Sequence, residues 1–248
     1  MIEINNLSKI YSDQFGNKVK LFEDISFQIE DEKITTVIAP VGSGKSSLLK
    51  IISGLEKQSS GDIKKDSDSK IIYIPSDPSS FPWLSVRENI LYGLDKVNKE
   101  SINTLVNLVE LEGYEDHYAD NKSIGFRFRI SLARSLAQNP HCICIDEPFC
   151  RMDQLTKIEI YQLIRKVNKE TNQTILLATT NITEAIYLSK KIYLMGGEPA
   201  KIITGFKIDL PSAQDIFNIS SNEFNYYINE VENNFKKVDS KKVLFKSI

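Results

Sequence analysis

The chain has 248 residues, 41% hydrophobic and 26% charged, with a net charge of −2. That apolar content supports a packed core and excludes a disordered chain, and the length suits one large domain or a core with one inserted subdomain. The near-neutral charge argues against nucleic acid as a partner, because phosphate-backbone binders carry a basic excess.

No apolar run approaches the roughly 20 residues that cross a bilayer, and the start at Met1-Ile2-Glu3-Ile4 does not read as a signal peptide. The expected place is the cytosol, with membrane contact only through another protein. Residues Met1–Leu7, Ile25–Ile29 and Lys33–Ile38 read as strands, the last running into Ala39-Pro40-Val41-Gly42-Ser43-Gly44-Lys45-Ser46-Ser47. A helix follows over Ser46–Gly54, with Leu48, Leu49, Ile51 and Ile52 apolar. Strand, glycine turn and helix form the context of a phosphate-binding loop. In such a loop the backbone N–H groups and the helix N-terminus face the phosphates. Lys45 would reach the β- and γ-phosphates, Ser46 would ligate Mg²⁺, and Gly42 and Gly44 would keep side chains clear of the nucleotide. The strict spacing wants glycine at position 39, where Ala39 adds a methyl and tolerates positive φ poorly.

Ile71–Ile74 is a short strand, and Pro75–Pro82 is rich in turn residues. Ser85-Val86-Arg87-Glu88 is a capping box that opens a helix. Ser101–Leu111 is a second helix, with Ile102, Leu105, Val106 and Val109 at helical spacing. The stretch from Ser79 to Gln138 is therefore expected to be helical, inserted between strands of an α/β core. The core resumes with strand Cys142–Ile145, helix Gln154–Lys169, strand Thr174–Thr179, helix Thr183–Leu188 and strand Lys191–Met195, an alternation that implies a mainly parallel sheet. Asp146-Glu147 ends four apolar residues. A carboxylate pair in that place points to a magnesium-side Asp and a water-activating Glu. Cys142, Cys144 and Cys150 read as small core residues, since no His or further Cys pair completes a metal site. The tail beyond Leu210 carries an amphipathic helix, Ser220–Lys236, with a Ser220…Glu223 capping box. Its stripe of Phe224, Tyr227, Ile228, Val231 and Phe235 either docks on its own domain or meets a partner.

From Met1 to about Leu210 the chain resembles the ATP-binding subunit of ATP-binding-cassette transporters, nearest the importers that serve nitrate, taurine and alkanesulfonates. The resemblance rests on Ala39–Ser47, on Phe81-Pro82-Trp83-Leu84-Ser85-Val86-Arg87-Glu88-Asn89, on Ser131–Ala137 and on Asp146-Glu147-Pro148-Phe149 with Asp153. It implies an α/β fold: a P-loop, RecA-like core with a mainly parallel sheet, an antiparallel β region near the N-terminus and an inserted helical subdomain. The expected division is 1–78 with 139–210 as the core, 79–138 as the helical subdomain and 211–248 as a helical tail. It further implies ATP and Mg²⁺, a membrane permease as partner, and a second ATP-binding subunit, each ATP lying between the phosphate loop of one subunit and the signature of the other. The phosphate-loop contacts extend to Ser43 and Ser47. Tyr11 is either the aromatic that stacks on adenine or an ordinary strand-end tyrosine. Asp146 matches the Mg²⁺-side carboxylate, Glu147 the general base, and Asp153 an aspartate at the dimer interface.

Three positions depart from the family pattern. The loop glutamine is Ser76, the switch histidine is Thr180, and the signature Leu-Ser-Gly-Gly-Gln reads Lys122-Ser123-Ile124-Gly125-Phe126. Ser123 and Gly125 are retained there, while Ile124 adds a β-branched side chain. These losses strip donors from around the γ-phosphate, so weak hydrolysis and an unequal dimer are expected, with nucleotide sensing or scaffolding as the alternative. Soluble cassette ATPases of DNA repair or translation fit less well, because the chain has neither a second cassette nor a coiled-coil insertion.

Overall fold

The computed structural model describes residues 1–12, 15–94, 99–120, 122–210 and 222–245. Among these residues nine strands form one sheet. They are β1 (Ile2–Ser12), β2 (Lys18–Ile29), β3 (Ile34–Ile38), β4 (Ser60–Lys64), β5 (Ile71–Ile74), β6 (Cys142–Asp146), β7 (Thr174–Thr179), β8 (Lys191–Gly197) and β9 (Ala200–Lys207). Their order across the sheet is β4-β1-β2-β9-β8-β3-β7-β6-β5. The run β8-β3-β7-β6-β5 is parallel throughout. The pairs β1–β2, β1–β4 and β8–β9 are antiparallel, which gives the N-terminal end its separate character. The sheet is thus mostly parallel with an antiparallel wing, as expected.

Among the described residues seven helices accompany it: α1 (Lys45–Ile52), α2 (Val86–Leu91), α3 (Lys99–Leu108), α4 (Ile124–Ala137), α5 (Gln154–Thr171), α6 (Ile182–Leu188) and α7 (Asn222–Phe245). The parallel strands are buried on both faces, as β3, β6 and β7 show by having no exposed residue. Alternation sorts their side chains into two cores. Cys142 and Cys144 of β6, Leu176 and Ala178 of β7, and Val37 of β3 pack with Leu48, Leu49, Ile51 and Ile52 of α1. Ile143, Ile145, Ile175 and Leu177 face the other way, onto Ile160, Leu163, Ile164 and Val167 of α5 and the helices α2 to α4. The period of two along each strand decides which residues meet α1, and Asp146 falls in register with Cys142 and Cys144 on that side.

Two strands were not anticipated. In β4, Ser-Gly-Asp-Ile-Lys has one apolar residue and is an exposed edge. In β9 the alternation of buried and exposed residues is diluted by lysines and by Gly205, which lies against the Tyr193 ring. β1 and β2 are also longer than their apolar stretches suggested, since their outer ends pair with each other and not with a core. Cys142 and Cys144 are core residues as expected, but Cys150 is exposed, being beyond the strand end and in a surface turn. Among the described residues no group of His, Cys, Asp and Glu could hold a metal by itself.

The tail helix settles its own alternatives. Phe224 and Val231 of α7 are buried, and Tyr227, Ile228 and Phe235 pack onto the same core beside α6 and β8. The stripe therefore docks on its own chain. Ser220 of the expected capping box lies outside the described residues. No helix among the described residues is long and apolar enough to cross a membrane.

Candidate active site

The loop between β3 and α1 takes its shape from two glycines. Gly42 and Gly44 have φ of 80° and 93°, a left-handed conformation that costs other residues but not glycine. Gly44 has a second constraint, because a Cβ there would meet Leu21 Cγ at 2.8 Å. Both glycines thus serve the loop's own fold before any ligand is considered. Ala39 is fully buried and is not among the residues with positive φ, so the strain expected from alanine is absent. Its N–H reaches the Thr179 carbonyl at 3.4 Å, continuing the β3–β7 ladder one residue. Ser43 Oγ donates to the Pro40 carbonyl at 2.8 Å and closes the turn.

Lys45 opens α1 and is buried. Its Nζ donates to the carbonyls of Ala39 (2.9 Å) and Pro40 (3.2 Å) and lies 3.1 Å from Glu147 Oε1. The ammonium therefore sits inside the curl of the loop with a carboxylate from the end of β6 facing it. Ser46 is exposed at the first turn of α1. Ser47 is half-buried, its hydroxyl 3.1 Å from Tyr11 OH. Tyr11 also donates to Glu56, and Lys9 Nζ sits 4.7 Å from its ring centroid while pairing with Glu56 at 2.8 Å. The tyrosine is tied to the phosphate-loop helix, with one face covered by a cation and the residue 40% exposed.

Asp146 and Glu147 part company at the strand end. Asp146 is 3% exposed, and its Oδ2 accepts from Tyr73 OH at 2.8 Å. Its Oδ1 is buried with no partner among the described residues. A buried carboxylate oxygen without a donor calls for a cation or its water. Mg²⁺ binds through few protein oxygens, keeps several waters and takes phosphate oxygens for the rest. Asp146 and the exposed hydroxyl of Ser46 form a donor set that could hold it. Glu147 has φ of 43°, so the chain turns sharply after Asp146 and sends the next carboxylate toward Lys45. Its N–H donates to the Ala178 carbonyl at 2.9 Å, and its Oε2 accepts from the Thr180 N–H at 3.3 Å. Thr180 meets the carboxylate with its backbone.

Behind Thr180 lies a buried network that sequence reasoning missed. Thr179 Oγ1 donates to Glu184 Oε2 at 2.6 Å, Tyr161 OH donates to Glu184 Oε1 at 3.0 Å, and Asn181 Oδ1 accepts from the Glu184 N–H at 3.1 Å. Burial raises the Glu184 carboxyl above its ordinary value. The signal available was Asn181 as an N-cap three residues before an acidic residue on the buried face of a short helix.

Ser123 and Gly125 make a separate group within one chain. Ser123 caps α4 by accepting from the Phe126 N–H at 3.2 Å. Ile124 is the first residue of α4, and Gly125 is buried where a Cβ would lie 2.5 Å from Thr156 Cγ2 of α5. Phe126 packs edge-on against Tyr114, which accounts for an aromatic at that position. These residues border a cleft of about 480 Å³ with Glu110, Arg129 and Glu159. Asp153 caps α5, accepting from the N–H groups of Leu155 and Thr156 and from Thr156 Oγ1. Ser76 is half-buried in the loop after β5, beside Asp77, whose carboxylate lies 3.7 Å from Arg127 and 3.6 Å from Arg151.

The Phe81–Asn89 stretch is held from below. Ser85 and Glu88 form the expected capping box. Asn89 is fully buried, accepts from the Phe81 N–H and donates to the carbonyls of Phe81, Leu84 and Ser85. The turn so pinned leaves Trp83 69% exposed, its ring 5.6 Å from that of Phe81.

Comparison with known proteins agrees with this geometry. The family model described as "ABC transporter" matches residues 22–150. The chain is 36% identical over 219 residues to the aliphatic sulfonates import ATP-binding protein of Bacillus cereus, covering 85% of this chain and 87% of that one. It is 30% identical over 221 residues to the taurine import ATP-binding protein of Roseobacter denitrificans, covering 84% and 82%. A dimeric ATP-binding cassette solved in a post-hydrolysis state with ADP and Pi superposes with a TM-score of 0.71 at 24% identity, over 85% of this chain and 100% of that one. With a family model over more than half of its residues and relatives 30–36% identical along most of its length, the chain belongs to the ABC transporter family, as an ATP-binding component.

Proposed function

We propose that the chain is the ATP-binding, weakly hydrolysing subunit of an ABC importer, working beneath a membrane permease as half of an unequal dimer. The observation that carries this reading is the meeting of Lys45 Nζ and Glu147 Oε1 at 3.1 Å, next to an Asp146 oxygen that no described residue satisfies. ATP would enter the curl of residues 39–47, where Lys45 exchanges Glu147 and the loop carbonyls for the β- and γ-phosphates. Ser43 and Ser47 with the backbone of Gly42 and Gly44 would line the phosphate side, and Tyr11 would offer the free face of its ring to adenine. Ser46 and Asp146 would hold Mg²⁺, which would supply charge neutralisation of the phosphates. Glu147, released from Lys45, would orient the attacking water as general base.

The site lacks two side chains that the family places near the γ-phosphate. Thr180 gives only its N–H to Glu147, and Ser76 is too short to reach as a glutamine does. Missing donors of this kind cost about 10²–10³ in rate each, and their effects do not add. Ile124 would put a β-branched side chain between Ser123 and Gly125, which would face the ATP of the second subunit, with Asp153 near the same interface. A partner with an intact signature would serve this chain's phosphate loop better than a second copy would. Trp83, exposed on a pinned turn, fits the surface that grips a permease. That contact would place the chain on the cytoplasmic face of the membrane. The division into a core of 1–78 with 139–210, a helical subdomain of 79–138 and a tail of 211–248 suits these roles.

The test is saturable binding of a labelled ATP analogue, which Lys45→Ala should abolish. ATP turnover with the permease present should drop in Glu147→Gln. If binding is lost in Lys45→Ala but turnover is unchanged in Glu147→Gln, the second reading holds. In that reading the chain senses nucleotide and leaves hydrolysis to its partner.

A further inference from the structure

Asp146 presents its two oxygens unequally. Oδ2 is held by the Tyr73 hydroxyl at 2.8 Å, while Oδ1 is buried and unpartnered among the described residues. The arrangement follows from sheet register. Tyr73 of β5 pairs directly with Cys144 of β6, so its side chain emerges on the same face as Cys144 and Asp146, two residues on. A phenol is long enough to span that offset, and it carries the one polar group in the Ile-Ile-Tyr-Ile strand. A carboxylate can only accept, so the phenol hydroxyl is the donor in this pair. The bond points one way, from phenol to carboxylate.

We propose that Tyr73 is the positioning residue of the metal-side carboxylate, fixing Oδ2 of Asp146 so that Oδ1 faces the divalent cation carried by the nucleotide. Groups that hold a ligand from behind fix its rotamer, and removing them weakens metal binding about 10–100-fold. In this chain the support is of particular consequence, because Ser76, three residues further along the same segment, brings no long polar side chain to the site. The inference rests on the nucleotide reading of residues 39–47 and extends it to a residue outside the motifs.

The experiment uses the full chain with a non-hydrolysable ATP analogue and Mn²⁺ in place of Mg²⁺. Metal affinity is read by electron paramagnetic resonance, and analogue affinity is read separately in EDTA. Tyr73→Phe keeps the ring and removes only the hydroxyl. It should weaken Mn²⁺ retention about tenfold or more while leaving analogue binding in EDTA within twofold of wild type. In an Asp146→Asn background the same change should have no further effect on Mn²⁺, since the two residues act through one contact. A phenol that only fills space would lower the melting temperature without separating the two affinities. Mn²⁺ affinity in Tyr73→Phe within twofold of wild type would overturn the proposal, as would an undiminished loss in the Asp146→Asn background. Failure of wild type to bind the analogue at all, or equal binding by Lys45→Ala, would instead overturn the nucleotide reading on which it rests.

Discussion

Replacing Gly125 by alanine separates two reasons for a glycine at that place. Its backbone is ordinary right-handed helix, so alanine there should favour α4 by up to about 1 kcal/mol on propensity alone. Packing opposes this. The new Cβ would lie 2.5 Å from Thr156 Cγ2, against an ordinary contact that begins at 3.4 Å. Thr156 cannot swing aside freely, because its Oγ1 donates to Asp153 Oδ2 at 2.6 Å. Either α4 backs away from α5 or the cap loosens, and forced overpacking of this kind costs about 1–3 kcal/mol. The net expectation is a loss of about 1 kcal/mol, read as a lower urea midpoint at unchanged slope. Thr156→Ser deletes Cγ2 and keeps Oγ1, and the next atoms, Thr156 Cβ and Ile160 Cδ1, are at 4.0 Å. In that background Gly125→Ala should be neutral or stabilising. If Gly125→Ala is no less stable than wild type with Thr156 in place, or if Thr156→Ser fails to rescue it, then the packing of α4 on α5 is not what requires this glycine.

Thr180→His combined with Ser76→Gln should raise ATP turnover by about tenfold or more when measured with the permease, since each restores a donor near the γ-phosphate; unchanged turnover would place the defect elsewhere. Glu184→Gln should flatten the pH dependence of stability. Burial raises the Glu184 carboxyl above its reference value of 4.5, so its contribution is full below about pH 4.5 and declines as pH rises through the folded value. Urea midpoints from pH 4.5 to 8 would show the slope in wild type and its loss in the variant. Trp83→Ala should reduce the amount of permease that co-purifies in mild detergent without altering analogue binding, because the residue is 69% exposed and its ring contact is with Phe81.

Much of the site could be read from short stretches because its geometry is local. A left-handed turn needs Gly42 and Gly44 within three residues of Lys45, and the Ser85–Glu88 box closes on itself across one helical turn. The run Cys142–Asp146 announces a buried strand by its lack of polar residues. The unread parts involve partners far apart in sequence. Asp153 also caps α5 with its carboxylate, a use that the Asp-Gln-Leu-Thr sequence permits but does not single out. Tyr73, Glu184 and Thr156 carried no motif at all. Strand β9 has no apolar pattern of its own and is held by antiparallel pairing with β8, its neighbour in the chain.

By itself, then, the amino-acid order determined a glycine turn between strand and helix, two strand-end carboxylates, a helical stretch between β5 and β6 and a membership in the ABC transporter family. Tertiary structure alone decided which atoms those groups meet. Parallel register set Tyr73 across from Cys144 and so on Asp146, and the positive φ of Glu147 turned it onto Lys45. Helix packing brought Gly125 against Thr156, and a strand end set Tyr11 against Ser47. The reason is physical: turns, caps and alternation are set by neighbours within a few residues, whereas the partner of a buried charge or hydroxyl is whatever the pairing of distant strands and helices delivers within about 3 Å.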